Sequence, residues 1–256
     1  VGLGNSAVDI AVDLCRRARS VTISTRRGAW IMPKYLMGIP VDRWSGFLSR
    51  KLRLPTTVTR SIMARLIRLA VGDQRRFGLK RPDHPMWREH ATLSQELLPY
   101  IGHGWISVKP DVALLDRADV VFRDGSRQRF DAIIHATGYR TSFPFLSTEI
   151  FDGERRPVRL FRRILPPGRP GLFFAGLVQP IGPTIPLVET QGQWIAAVLV
   201  GAISLPDSAA MDREIDAHVA YQRRTYVDAE RYALEVDYRD YSRALKADVA
   251  AGAAGR

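Results

Sequence analysis

The amino-acid sequence predicts an α/β fold in which helices cover a doubly wound, mostly parallel sheet. Three observations favour this class. A glycine-rich turn at the start leads into an amphipathic helix, a short β-branched segment follows that helix, and strand patterns return after residue 105. The 256 residues, 46% of them hydrophobic, are enough for two domains with cores of their own.

The first predicted unit consists of a loop, a helix and a strand. Apolar residues such as Val8, Ala11 and Leu14 recur at helical spacing over residues 6–20. Residues 21–25 are β-branched, which favours a strand. These pieces make up most of a βαβ unit, and the strand before the loop is missing because the chain begins at its last residue. We therefore expect the chain to be a fragment of a longer protein.

Residues 30–99 differ in pattern and are predicted to form a mostly helical insertion. Prolines break this segment into short pieces. One helix is indicated after Pro55, with an apolar stripe that we expect to face the core. The stripe consists of Val58, Ile62, Leu66 and Leu69.

Strand patterns dominate the next part of the chain. The turn Asp124-Gly125 is a strong hairpin signal between two of these strands. The apolar run before Thr137 reads as a buried strand that leads into a tight turn. An apolar helix is predicted over 187–201, and the charged tail from Asp207 is helical in pattern. The predicted strands are 106–108, 112–114, 120–122, 128–130, 131–137 and 172–176.

The opening turn has the spacing of a dinucleotide-binding fingerprint, Gly2-x-Gly4-x-x-Ala7. The first glycine permits a tight turn, the second lets the backbone approach a pyrophosphate, and the small third residue lets helix and strand pack closely. The N-terminus of the following helix favours the anion through its free N–H groups and its dipole. The predicted domain is therefore Rossmann-like.

The end of the next strand indicates which dinucleotide binds. A site for NAD usually has an acidic residue there, which bonds the ribose 2′-hydroxyl. This chain instead has Arg26 and Arg27 after Thr25. A guanidinium pairs with a 2′-phosphate, whereas a carboxylate would repel it. We therefore predict NADP, with Arg26 as the first choice of phosphate ligand and Arg27 beside it.

Other classes of function are disfavoured. The net charge of +12 could attract nucleic acid, but the arginines are scattered and accompany no recognition motif, so we expect no nucleic-acid partner. The histidines lack metal-ligand spacing. The single cysteine, Cys15, excludes an internal disulfide framework and fits a reducing compartment. No apolar run is long enough for a transmembrane helix, and because Cys15 indicates a reducing compartment we expect a cytoplasmic protein.

An ordered series of motifs resembles the flavin-containing monooxygenases, in a bacterial-type form. VGLGNSAVDIA is similar to that family's NADPH-binding glycine motif, and STRRGAW to its loop for the 2′-phosphate. HATGY followed by PFL resembles its ATG motif, and FFAGLVQPIGPTIPLVETQGQW its flavin-side strand and helix. The resemblance extends from residue 1 to about Leu245.

This resemblance implies two cofactors, FAD and NADP. In the family, NADPH reduces FAD, the reduced flavin takes up O2 as a hydroperoxide, and this species donates one oxygen atom to a soft nitrogen or sulfur nucleophile of a small molecule. The family's FAD-binding glycine motif precedes the NADPH motif, so catalysis belongs to the parent protein and the fragment alone is expected to be inactive. The resemblance names no catalytic residue in this chain. The cofactor-binding residues that it implies are Gly2, Gly4, Asn5, Ser6, Ala7, Asp9, Arg26, Thr137, Gly138, Tyr139, Gly176, Gln179 and Thr184.

The predicted domains follow from these assignments. Residues 1–140 are interpreted as the NADP-binding domain, and residues 141–256 as the C-terminal part of the FAD-binding domain with a helical tail. Three alternatives stay open: a Baeyer–Villiger-type monooxygenase acting on ketones, a pyridine-nucleotide disulfide reductase, and a non-catalytic NADP-binding scaffold. Gln179 could instead cap the helix that follows it. The oligomeric state is also open, with a homodimer as one candidate.

Overall fold

The computed structural model of the chain describes residues 1–150, 158–226 and 234–254. The chain divides into two compact units. Unit 1 comprises Val1–Trp87 and Ala91–Tyr139, and unit 2 comprises Arg88–His90 and Arg140–Arg256. The division after Tyr139 lies beside the domain boundary predicted at residue 140, whereas the assignment of each unit to one nucleotide stays a prediction.

Unit 1 combines helices with short strands. Its helices are α1 (Asn5–Leu14), α2 (Val41–Gly46), α3 (Thr56–Val71) and α4 (Leu97–Gly102), with a π-helical turn at Phe47–Lys51 and a 3-10 turn at Gln74–Phe77. Its strands are β1 (Val21–Ser24), β2 (Ile31–Met32), β3 (Tyr35–Leu36), β4 (Ile39–Pro40), β5 (Thr92–Leu93), β6 (Ile106–Lys109), β7 (Val112–Asp116), β8 (Asp119–Phe122) and β9 (Arg127–Arg129).

A parallel backbone array organises unit 1. Strand β1 pairs in parallel with β6. On the other side of β1, the Gly2 N–H donates to the Ser24 carbonyl at 2.9 Å. The Ala136 N–H donates to the Val1 carbonyl at 2.9 Å, so the segments lie in the order β6, β1, 1–3 and 134–136. This is the third, second, first and fourth segment along the chain, which is the Rossmann order. The predicted α/β, Rossmann-like class is confirmed.

Helix α1 covers this array with its small and β-branched face. Ala7, Val8 and Ala11 are buried, and Val8 packs in one core with Ile23 and Ile106. The helix ends at Leu14 rather than at the predicted residue 20. After Leu14 the chain forms turns, and residues 16–20 are exposed, so they have no apolar face to hold in a helix.

Helix α3 forms where it was predicted, but its orientation differs from the prediction. The buried residues are Thr59, Met63, Ala64 and Ile67, which pack around Met32 and Met86. Val58 and Leu69 of the predicted stripe are 42% and 82% exposed. Ile62 and Leu66, the other two residues of the predicted stripe, are partly buried against the same core, so the buried face overlaps the predicted stripe but is centred on the adjacent residues. Residues 30–99 also contain four short strands besides the helices.

The hairpin predicted at Asp124-Gly125 is confirmed. Strands β8 and β9 pair in an antiparallel arrangement, and β7 extends them to three strands. Gly125 has a φ of +80°, and the Asp124 carboxylate accepts hydrogen bonds from the backbone N–H and the hydroxyl of Ser126. The turn predicted from the sequence and the hydrogen bonds seen in the structure therefore agree at this hairpin.

The buried strand predicted over 131–137 is wrong. The residues form no regular strand, and Ile133 and Ile134 are 39% and 45% exposed. The segment borders residues 1–3 on one side, through Ala136. Among the residues that the structure describes, no strand pairs with its other side, and an apolar run becomes a buried strand only where neighbours cover it.

Unit 2 is built mainly from helices. Its helices are α5 (Ile185–Leu199), α6 (Ser208–Thr225) and α7 (Tyr238–Ala254), and its strands are β10 (Gln179–Ile181) and β11 (Glu235–Asp237). Helices α5 and α7 contribute Leu187, Trp194 and Leu245 to its main core. The side chain of Asp207 accepts the Ala210 N–H at 2.7 Å and so caps α6, the first part of the predicted helical tail.

The strand predicted over 172–176 is also wrong. Phe174 is buried beside Leu160, but the residues around it form no strand. The strand begins later, at Gln179, because β11 offers its parallel partner there. In the described parts of the chain, no helix is both long and apolar enough to cross a membrane.

Candidate nucleotide-binding site

The two glycines of the opening turn occupy different environments. Gly2 has a φ of +123°, and a Cβ atom built on it would lie 2.3 Å from the carbonyl oxygen of Ala136. Only glycine fits this position. A Cβ atom built on Gly4 would meet no atom within 4 Å. The contacts of the protein itself thus require Gly2, whereas the space beside Gly4 is available to a ligand.

The first turn of α1 faces this space. Gly4 takes an extended conformation at the helix N-cap and supplies no side chain to cap the first N–H groups. The Asn5 side-chain oxygen accepts the Leu93 N–H at 2.7 Å, so Asn5 ties the turn to the end of the insertion. Ser6 and Asp9 are exposed, whereas Ala7 is buried below them.

A basic cleft of about 550 Å³ opens at the carboxyl ends of β1 and β6. Arg26 lines it, whereas Arg27 does not. The remaining lining residues are Thr25, Gly78, Lys80, Val108, Lys109, Pro110, Asp111 and Arg123.

Backbone contacts assemble the cleft from distant parts of the chain. The Thr25 N–H donates to the Lys109 carbonyl at 3.0 Å, which continues the β1–β6 pairing beyond the strands. A Cβ atom on Gly28 would lie 2.0 Å from the Lys80 carbonyl oxygen, so glycine allows the close approach that brings Lys80 into the cleft. Sequence reasoning missed this residue, because only the tertiary contact relates it to β1.

The cations of the cleft fall into two kinds. Lys109 lies 3.8 Å from Asp124, and Arg123 lies 3.6 Å from Asp111. Hydrogen bonds from Ser126, followed by the charge of Lys109, lower the pKa of Asp124, which keeps that carboxylate ionised. In contrast, no carboxylate in the described parts of the chain pairs with Arg26 or Lys80. These two cations can therefore bind an external anion without breaking an ion pair.

Lys109 and Arg123 were also missed in the sequence. Lys109 directly follows the apolar segment 106–108, so its position at the end of a strand was the one available signal. Arg123 precedes the hairpin turn, and nothing in its local sequence indicates a cleft.

The predicted residues Thr137, Gly138 and Tyr139 follow the segment that touches the opening turn. Ala136 contacts the Gly2 position, so Thr137 and Gly138 come next to that turn. Gly138 has a φ of +109°, and Tyr139 is 94% exposed. Ala136, the residue before this motif, therefore borders the glycine turn within unit 1.

The other three predicted residues belong to unit 2. Gly176 has a φ of +80°, and its N–H donates to the Gln191 side-chain oxygen at 2.8 Å. Gln179 is the first residue of β10, and its N–H donates to the Leu234 carbonyl at 2.7 Å. Thr184 is exposed at the N-cap of α5, so Thr184, and not Gln179, occupies the capping position.

Comparison with known proteins identifies the family. The model of the family described as "FMO-like: Flavin-binding monooxygenase-like" matches residues 1–253. Flavin-containing monooxygenase 5 of Oryctolagus cuniculus is 35% identical over 93% of this chain and 45% of its own length. Dimethylaniline monooxygenase [N-oxide-forming] 2 of Rattus norvegicus is 33% identical over 98% of this chain and 48% of its own length.

A solved structure is also similar. It is S-allyl-L-cysteine S-oxygenase from Allium sativum, which is 30% identical with a TM-score of 0.48, over 57% of this chain and 34% of that chain. The chain spans a little less than half the length of the curated relatives named above. Members of the matched family bind FAD and use NADPH. The chain belongs to the flavin-binding monooxygenase-like family.

Proposed function

We propose that the protein containing this chain is an NADPH- and FAD-dependent monooxygenase. It transfers one oxygen atom of O2 to a nitrogen or sulfur nucleophile of a small organic molecule, and the other oxygen atom leaves as water with electrons from NADPH. The basic cleft beside β1 is the observation that carries this proposal, because it suits the 2′-phosphate that distinguishes NADPH from NADH. The relative whose name describes N-oxide formation supports a nitrogen acceptor.

The residues of unit 1 fit NADPH. The exposed first turn of α1 and the open space at Gly4 would accept the pyrophosphate, where N–H groups and the helix dipole favour an anion. Arg26 and Lys80 would hold the 2′-phosphate, and Lys109 and Arg123 would add positive potential around it. These residues bind and orient the cofactor, and none of them needs to transfer a proton.

The predicted flavin residues of unit 2 also suit a cofactor. Gly176 and Thr184 are both exposed, and Thr184 begins the 15-residue helix α5, whose N-terminus favours an anionic group. FAD, when bound, supplies the redox chemistry between NADPH and O2. The contribution of this chain is then to bind and orient the two nucleotides.

The proposal is tested on the protein expressed from its complete coding sequence. We would record the spectrum of the purified protein and follow the oxidation of NADPH and of NADH with a tertiary amine, a thioether and a ketone. Bound flavin, a preference for NADPH and an N-oxide or sulfoxide identified by mass spectrometry are expected. Oxygenation of the ketone alone would favour Baeyer–Villiger chemistry. Colourless protein that does not oxidise NADPH would contradict the proposal and favour a scaffold.

Two further properties stay predictions. The single cysteine is the basis for a cytoplasmic location. A homodimer is one candidate for the oligomeric state, and sedimentation of the protein at several concentrations would test it.

A further inference from the structure

A chain of hydrogen bonds in unit 2 connects one predicted flavin residue to the interior. The Gly176 N–H donates to the Gln191 side-chain oxygen at 2.8 Å, and the Gln191 amide donates to the Tyr241 hydroxyl at 2.8 Å. The Tyr241 hydroxyl donates to the Arg162 carbonyl at 2.5 Å. These three hydrogen bonds are called the relay. Each donor in the relay has one acceptor, so all three bonds point in one direction, from Gly176 to Arg162.

Burial makes this relay costly to disrupt. Gln191 is 0% exposed and Tyr241 is 9% exposed. Burial is also the main cause that raises the pKa of the Tyr241 hydroxyl well above its usual range, so the group remains a donor. A buried amide that loses a partner cannot turn to water instead. The side chain of Gln191 is therefore held in one orientation.

The two ends of the relay are backbone turns with positive φ. Gly176 has a φ of +80° and Arg162 has a φ of +51°. Such conformations persist where surrounding contacts hold them. Gln191 thus reaches from helix α5 to the turn at Gly176, while Tyr241 of helix α7 braces Gln191 against the second turn.

The held N–H group determines where the neighbouring carbonyl points. In a planar trans peptide, the N–H and the C=O point in opposite directions. Because the Gly176 N–H points at buried Gln191, the Ala175 carbonyl of the same peptide points away from it, and Ala175 and Gly176 are both exposed. The turn therefore offers an acceptor, and not this donor, to a ligand.

We propose that Gln191 is a positioning residue for the flavin, which turns the Ala175 carbonyl outward as the acceptor for a hydroxyl or imide N–H group of FAD. This inference rests on the proposed function, since it takes Gly176 to face the flavin. Gln191 itself does not touch the cofactor. It acts through the peptide that its side-chain oxygen holds.

The test compares three variants of the full-length protein. Gln191→Met keeps the length of the side chain but removes both hydrogen bonds. Tyr241→Phe removes only the brace behind Gln191. Thr190→Val is the matched control, since Thr190 is the buried neighbour of Gln191 on α5 and its hydroxyl donates to the Pro186 carbonyl instead. Circular dichroism would first establish that each variant is folded.

We expect Gln191→Met to raise the dissociation constant of FAD about tenfold and to shift the absorption maxima of the bound flavin. Tyr241→Phe should change the dissociation constant and the absorption maxima in the same direction, but by less. If Gln191→Met does not fold, Tyr241→Phe alone tests the inference. Thr190→Val should stay within about twofold of the wild type. A shift in the flavin spectrum is a change that loss of stability alone would not produce.

The outcomes separate this inference from the proposed function. If the wild type binds FAD and neither Gln191→Met nor Tyr241→Phe differs from Thr190→Val, the positioning role is overturned and the proposed function stands. If the wild type itself binds no FAD, both are overturned.

Discussion

Replacing Arg26 with alanine should separate the two nicotinamide cofactors. A charge-assisted pair with a phosphate contributes about 1.5–3 kcal/mol. The cleft is open to solvent, and Lys80, Lys109 and Arg123 remain after the substitution, so screening reduces the expected loss to about 1–2 kcal/mol. This corresponds to an increase of about 5- to 30-fold in the dissociation constant of NADPH. NADH lacks the 2′-phosphate, so its dissociation constant should change by less than about twofold.

The structure supplies a matched control for this experiment. Arg27 is the next residue and is also exposed, but it does not line the cleft, so Arg27→Ala should leave NADPH binding nearly unchanged. Both cofactors would be titrated without oxygen, with fluorescence as the readout, so that no turnover consumes them. Higher ionic strength should reduce the difference between NADPH and NADH in the wild type. Equal losses for both cofactors, or equal effects of Arg26→Ala and Arg27→Ala, would refute the assignment of Arg26.

Three further predictions follow from the packing. Gly2→Ala should lower the stability of the protein by at least about 2 kcal/mol, because its Cβ would meet a backbone oxygen. Gly4→Ala should leave the melting temperature unchanged and weaken NADPH binding. Equal melting temperatures for the two variants would contradict this difference between the glycines. In denaturant unfolding, Ile67→Ala should lower the free energy of unfolding by about 2–5 kcal/mol and Leu69→Ala by less than about 0.5 kcal/mol. A larger loss for Leu69→Ala than for Ile67→Ala would mean that the stripe predicted from the sequence faces the core. Burial lowers the pKa of His218 from 6.5 to about 3, so the unfolded state takes up a proton below pH 6.5 that the folded state does not. Stability should therefore fall as the pH drops from 6.5 towards 3, by at most about 1.4 kcal/mol per pH unit, and His218→Phe should reduce this slope in unfolding measured at pH 5.5 and 7.0.

Helix α3 shows how packing sets the rotation of a helix about its own axis. Ile62 and Leu66 of the predicted stripe lie at the border of the buried face, whereas Met63 and Ile67 lie at its centre, and periodicity alone cannot place this centre. The methionines at 63, 32 and 86 meet in one cluster only because β2 and the end of the insertion lie beside the helix. A local pattern therefore predicts that α3 forms, whereas distant residues decide how it is turned.

Sequence by itself determined the elements whose signals are local. Helix α1 and the Asp124-Gly125 hairpin depend on backbone sterics and on contacts within a few residues. The spacing of the opening glycines and the β-branched residues of β1 are also local patterns, so the sequence predicted these elements. The family was also evident from the order of its motifs. The same local reasoning predicted Arg26 as a phosphate ligand, because its position relative to a strand end has a direct chemical meaning, and this assignment stays a prediction.

Tertiary structure decided the features that depend on residues far apart in the chain. The cleft adds Lys80, Lys109 and Arg123 to Arg26, and it excludes Arg27, because the close approach at Gly28 and the pairing of β1 with β6 determine which side chains converge. Residues 131–137 carry a strand pattern but remain exposed, since burial depends on which neighbours cover them. Gln191 likewise gains its contacts with Gly176 and Tyr241 only when helices α5 and α7 pack together. Propensity describes what a segment can form, and long-range packing decides which surface it presents and what it binds.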